Sequence, residues 1–144
     1  MRTQGYYVFL YLNTYYIFYN HNNSYPENGG LGEKIISEFK NLSEKELNIL
    51  LNTMKNLINN IKLTDNADHN RDVYYSGLID ALEYSSNYVY YISENQPMND
   101  NYIQYIYIID LDLHKIKIIS HNYEKCIIPL NNIPDNWLDV LVSN

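Results

Sequence analysis

The sequence predicts a single α+β domain over residues 1–144, in which one mainly antiparallel sheet is packed by helices. Three observations predict it. Aromatic and β-branched runs open and close the chain, and between them lie segments whose apolar residues repeat at helical spacing. No linker, internal repeat or long low-complexity stretch interrupts the order ββ-αα-α-βββ(β)-α. Strand runs segregated from helices are the mark of the α+β class. With 144 residues, 46% of them hydrophobic, the chain is sized for one core.

The elements follow in order. Residues 5–12 and 15–20 predict a β-hairpin with Asn13-Thr14 as its two-residue loop, since Asn accepts positive φ. Val8, Leu10 and Leu12 share one face, and Tyr7, Phe9 and Tyr11 the other. Neither face is polar, which points to cover on both sides or to a half-wet tyrosine face. Residues 20–32 are a loop dense in Asn, Ser, Pro and Gly. A helix is expected from Leu31 to Lys40, with Leu31, Ile35, Ile36 and Phe39 on one stripe.

Leu42-Ser43-Glu44-Lys45-Glu46-Leu47 then reads as a helix start. Ser43 and Glu46 are spaced for a capping box, and Leu42 and Leu47 for a hydrophobic staple. The helix continues through Leu50, Leu51, Met54, Leu57, Ile58 and Ile61. Residues 63–72 form a polar loop, and a short helix is expected over 73–83. Strands are expected at 88–93, 102–111, 115–120 and 124–130, the last an edge because Pro129 lacks an N–H. Asp135 is placed to cap a final helix ending near Val142, with Trp137, Leu138 and Leu141 inward.

Composition restricts function. The net charge is −7, which disfavours a polyanionic nucleic acid as partner. The single cysteine, Cys126, excludes an intrachain disulfide and a Cys-based zinc site, and fits a cytoplasmic, reducing compartment. It is expected to be buried as a small apolar residue. No segment reaches the ~20 apolar residues of a membrane helix, and the short N-terminal run reads as a strand rather than a signal peptide. Of 21 aromatic residues 17 are Tyr, alongside 22 Asn, 18 Ile and 2 Ala. That bias is the amino-acid image of an AT-rich genome.

The loop Tyr19-Asn20-His21-Asn22-Asn23-Ser24-Tyr25-Pro26, closing on Gly30-Leu31-Gly32, is the candidate site. It joins a strand end to a helix start, where function commonly sits. His21 is an acid, base or ligand near neutral pH. Ser24 is a hydroxyl three residues on, and the glycine-rich approach offers N–H groups for an anion.

These residues, with Gly5-Tyr6-Tyr7-Val8 and Tyr15-Tyr16-Ile17-Phe18, resemble a family found in fungi, bacteria, phages and large DNA viruses. Its members read Gly-Thr-Arg-Gly, then Tyr-Asn-His-Trp/Phe-Asp-Ser-Tyr-Pro, then Leu-Gly. Ile108-Ile109-Asp110-Leu111-Asp112 and Asn131-Asn132-Ile133-Pro134 through Trp137 extend the resemblance to the C-terminal part. It implies motif residues Tyr19, Asn20, His21, Asn23, Ser24, Tyr25, Pro26 and Gly32 and no reaction. The chain departs from the pattern at Gln4, Asn22 and Asn23, so a carboxylate beside His21 is missing.

Three functions are in view. The first is a non-catalytic interaction protein, self-associating or binding a protein partner through Tyr-rich surface, with no cofactor and no metal. The second is a small hydrolase or transferase using His21, Ser24 and Thr3. Its element order is similar to the N-terminal nucleophile hydrolase sandwich, although Arg2 blocks simple exposure of Thr3 as an N-terminal residue. The third is a small nucleotide or base binder that stacks on tyrosines. Asp110 and Asp112 are read as turn acids rather than a cation site, and Asp65, Asp68, His69 and Asp72 as an acidic loop without calcium-loop spacing. His114 and His121 are read as surface residues.

Overall fold

The computed structural model describes residues 3–61, 75–85, 89–121 and 123–142. Six strands form one sheet: β1 (Gln4–Tyr11), β2 (Thr14–Asn20), β3 (Val89–Ser93), β4 (Ile103–Asp110), β5 (Lys115–Ser120) and β6 (Tyr123–Pro129). The helices are α1 (Leu31–Phe39), α2 (Glu44–Asn59), α3 (Leu78–Glu83) and α4 (Trp137–Val142). The expected α+β architecture is the observed one. The strand order is β3-β2-β1-β4-β5-β6. Only β1 and β4 pair in parallel; the other neighbours are antiparallel.

The hairpin differs from its expected turn by one residue. Tyr11 pairs with Thr14, so the loop is Leu12-Asn13, with φ of 50° and 63°. Two successive positive φ values define the turn that matches strand twist. Asn13 suits its place; Leu12 does not, because a left-handed backbone crowds its Cβ. Two contacts hold it there. The stacked rings of Tyr7 and Phe18 fix the register, and the Leu12 N–H donates to Asp112 Oδ2 at 2.9 Å.

The pleat sorts the strands into two cores. Tyr7, Phe9, Phe18, Tyr107, Ile109, Ile116, Ile118, Cys126 and Ile128 face the helices. Every buried apolar helical side chain among the described residues joins this cluster, including Ile35, Phe39, Leu51, Met54 and Trp137. On the other face Tyr6, Val8, Ile17, Ile103, Ile106, Ile108 and Ile119 form a second cluster. Buried on both sides, β1 reads as an unbroken apolar run, as central strands with a parallel neighbour do.

Segment 94–102 connects β3 to β4. It starts beside the hairpin turn, where Ser93 pairs with Tyr15, and ends where Ile103 pairs with Gln4. From strand rise and spacing the span is roughly 25 Å. A helix of that length in residues rises only about 15 Å, so the segment must run extended. Its Pro97 and Asn99 are buried, and Asp100 Oδ1 accepts the N–H groups of Tyr102 and Ile103 at the entry to β4.

The helices follow their sequence signals. Ser43 caps α2 in a complete capping box: Glu46 N–H donates to Ser43 Oγ at 3.1 Å, and Ser43 N–H to Glu46 Oε1 at 3.0 Å. The helix expected over 73–83 is shorter. Residues 62–74 lie outside the described residues, and with them the predicted polar loop with Asp65, Asp68, His69 and Asp72. α3 begins after Gly77, whose φ of 128° no helix continues through. Asp135 does not cap α4; its carboxylate pairs with Lys40 Nζ at 3.2 Å, and Trp137 N–H donates to Pro134 O instead.

Replacing Ser43 with Ala should lower unfolding free energy by about 1 kcal/mol, read from the urea midpoint at unchanged slope.

Candidate functional site

The loop between β2 and α1 is fastened by hydrogen bonds centred on Asn20 and Ser24. Asn20 is 6% exposed and Ser24 fully buried. Asn20 Nδ2 donates to Ser24 Oγ at 2.7 Å and to Asn22 O at 2.8 Å, while Ser24 Oγ donates to Asn20 O at 3.2 Å. Ser24 N–H donates to Thr3 O at 3.1 Å, and the Tyr107 hydroxyl donates to Ser24 O at 2.7 Å. Burying polar groups costs stability unless they are paired, and this loop pairs them with one another.

The glycines let the loop lie that close. A Cβ on Gly5 would stand 2.6 Å from Tyr105 O and 2.8 Å from Ser24 Cβ. One on Gly32 would stand 2.7 Å from Pro26 Cα and 2.8 Å from Tyr107 Cε1. Both positions therefore exclude a side chain. Pro26 is buried, and Tyr25 packs on Tyr105 with ring centroids 5.9 Å apart.

Two expectations change here. The glycine-rich approach was expected to leave N–H groups for an anion. Instead Gly30 N–H donates to Glu27 O, Leu31 N–H to Asn23 O and Gly32 N–H to Tyr25 O, at 3.0, 3.0 and 3.2 Å. These three N–H groups at the helix start are taken up by its own loop. His21 and Ser24 were expected within reach of one another in the enzyme reading. The Ser24 hydroxyl spends its proton on a backbone carbonyl, and the His21 ring stacks on Tyr19 with centroids 6.4 Å apart. Ser24 Oγ is thus engaged by Asn20 as both acceptor and donor. Thr3 is fully buried with its hydroxyl unpartnered, and the described strands make one sheet rather than a two-sheet sandwich.

The tyrosines are spent in much the same way. Tyr6 meets Tyr19 and Tyr91, Tyr7 meets Phe18 and Tyr75, and Tyr105 stacks on Tyr107. Among the tyrosines whose side chains are described, Tyr84, Tyr91 and Tyr102 are the exposed ones. Asp110 Oδ1 accepts the N–H groups of Asp112 and Leu113 at 3.0 and 2.9 Å, which makes it a turn acid as read. Among the described residues no three His, Cys, Asp or Glu side chains gather as a metal site, and no helix is long and apolar enough to cross a membrane. Cys126 is buried, which pushes its thiol up.

Beside the lock lies a cavity of about 190 Å³, lined by Asn20, Asn22, Asn23, Leu31, Lys34 and Tyr75. Lys34 and Tyr75 carried no sequence signal. Lys34 reads as the solvated face of α1, and Tyr75 belongs to a separate segment that tertiary packing brings in. The Tyr75 hydroxyl donates to Glu38 Oε2, and Leu78 N–H donates to Glu38 Oε1 at 3.0 Å. Burial raises the Glu38 carboxyl above its ordinary value, and the two hydrogen bonds oppose that rise. Burial, and then the neighbouring Glu38 charge, push the Tyr75 phenol far upward. Tyr107 is likewise pushed well above the usual phenol range, chiefly by burial.

Two outcomes test this geometry. Ser24→Ala should cost about 1–3 kcal/mol of stability, because it orphans the buried Asn20 amide; thermal or urea unfolding reads it. For Glu38 the folded value lies above the unfolded one, so its contribution is fully present below the ordinary carboxylate value and is lost as pH rises through the raised folded value. Glu38→Gln should therefore gain on the native protein as pH rises from the ordinary carboxylate range, and a gap that moves the other way would refute the burial argument.

No family model matches the chain, no curated protein matches it, and no solved structure matches its fold.

Proposed function

We propose that this is a small non-catalytic interaction protein of a cytosol-like compartment, and that it self-associates through the tips of its two tied hairpins. The observation that carries this reading is Leu12. It is 66% exposed and sits at a φ of 50°, where Asn or Gly would be less strained. Leu113, on the neighbouring β4–β5 turn, is 68% exposed. The turns are tied by Leu12 N–H to Asp112 Oδ2 and by Leu111 N–H to Leu10 O, both at 2.9 Å. A rigid double tip with an outward leucine on each turn costs local stability and gains nothing inside the fold. A leucine-to-leucine contact between two copies supplies the missing burial.

The non-catalytic part is supported by the motif loop, whose hydroxyl and amides are consumed internally. The family kinship suggested by Tyr19-Asn20-His21 and Ser24-Tyr25-Pro26, with a large DNA virus as source, belongs to the same proposal. The AT-rich residue bias supports that source. The buried, single Cys126 supports a reducing compartment.

Sedimentation of the full chain over a concentration series should show reversible association. The double variant Leu12→Asn, Leu113→Ser should be monomeric and no less stable, with up to about 1 kcal/mol regained at the left-handed position. A native chain that stays monomeric throughout overturns the reading, as does a double variant that associates unchanged.

A further inference from the structure

We propose that the cavity between the motif loop, α1 and Tyr75 binds a small carboxylate that also carries an adjacent hydrogen-bond donor, as free α-amino acids and α-hydroxy acids do. Four features of its wall select that chemistry.

The first is Asn20, which lines the cavity and is more than nine-tenths buried. Both hydrogens of its amide are engaged, by Asn22 O and Ser24 Oγ. A backbone carbonyl is an acceptor only, so the amide cannot be the other way round. Oδ1 is then left as an acceptor with no hydrogen bond among the described residues. Among the described residues the one buried side-chain atom without a partner is Thr3 Oγ1, so Asn20 Oδ1 is reached by solvent, and a donor brought by a ligand takes the place of water there.

The second is Tyr75. Its hydroxyl proton is directed to Glu38, so its oxygen faces any visitor as an acceptor. The third is Lys34, an exposed ammonium at the same cavity that makes no ion pair among the described residues. In a chain of net charge −7 it is a local positive site. It fits an anion and disfavours a cation. The fourth is Leu31, which gives the cavity an apolar wall for a short carbon stem.

The size agrees. About 190 Å³ is below the 300–1,000 Å³ of drug-sized pockets, and suits a few non-hydrogen atoms. A nucleotide would not enter. The donor group of the ligand would sit against Asn20 Oδ1 and Tyr75 Oη, and its carboxylate against Lys34. This site is independent of the hairpin tips, which lie at the opposite end of β2.

Titration of the isotope-labelled full chain, followed by amide NMR, tests it. The probes are L-serine, glycolate and acetate. Serine or glycolate should shift signals of residues 20–23 and 31–34 saturably, and which of the two binds tighter separates an amino acid from a hydroxy acid. Acetate, lacking the donor, should bind about tenfold more weakly. Lys34→Gln should weaken binding by at least about tenfold, and Tyr75→Phe should weaken serine and glycolate but not acetate. Lys45→Gln, a charge change on exposed α2, should alter nothing. The proposal falls if no probe saturates below ~10 mM, if acetate binds as well as glycolate, or if Lys34→Gln binds unchanged. Because Lys34 and its variant lie on an exposed face, loss of binding with an unchanged spectrum is not a folding defect.

Discussion

The parallel pairing of β1 with β4 is the constraint on which the rest depends. It joins segments about a hundred residues apart, and each later contact refers to it. It sets Gly5 against Tyr105, which brings the start of the chain under Ser24. It places Tyr107 beside Tyr7, so that the Tyr107 hydroxyl reaches the Ser24 carbonyl. At the far end it aligns the two turns so that Asp112 holds the Leu12 N–H. Parallel pairs need long crossovers, and the intervening helices and extended segment supply the chain length.

The motif loop shows why conspicuous polar residues need not be reactive. A buried loop carries backbone and side-chain groups that water no longer serves. Asn20 and Ser24 answer that demand in a small closed circuit, and Thr3, Tyr107 and the start of α1 complete it. A hydroxyl whose proton is held by a carbonyl is a poor nucleophile, whatever histidine lies nearby. The tyrosines follow the same logic. Most of those described pack ring on ring across the sheet, where they supply buried area and edge-to-face contacts.

The circuit leaves a residue of chemistry on its outer side. Spending the two amide hydrogens of Asn20 on Ser24 Oγ and Asn22 O leaves that amide's oxygen over. Anchoring Leu78 and Tyr75 on Glu38 leaves the phenol oxygen over and raises the carboxyl by burial. Asn20, Tyr75 and Lys34, which makes no ion pair among the described residues, thus line one small cavity. The polarity of the cavity is a by-product of how the fold is locked.

The sequence by itself determined most elements that depend on near neighbours, the cap of α4 excepted, where Asp135 pairs with Lys40 instead. The Ser43–Glu46 box, the α2 stripe and the two-sided apolar run of β1 were all legible, because caps and periodicity act within a few residues. So was the loop of interest, from its Asn, Ser, Pro and Gly. Tertiary structure alone decided the hairpin turn at Leu12-Asn13, because Asp112 and the Tyr7–Phe18 stack overrule the local preference. It alone decided that Ser24 is a lock, that the α1 N–H groups are occupied, and that Lys34 and Tyr75 meet at one cavity. The hairpin turn, the Tyr107 bond to Ser24 and the cavity rest on contacts between residues tens of positions apart; the shorter bonds of the loop depend on its path in the fold, and neither spacing nor composition records which partner claims a donor.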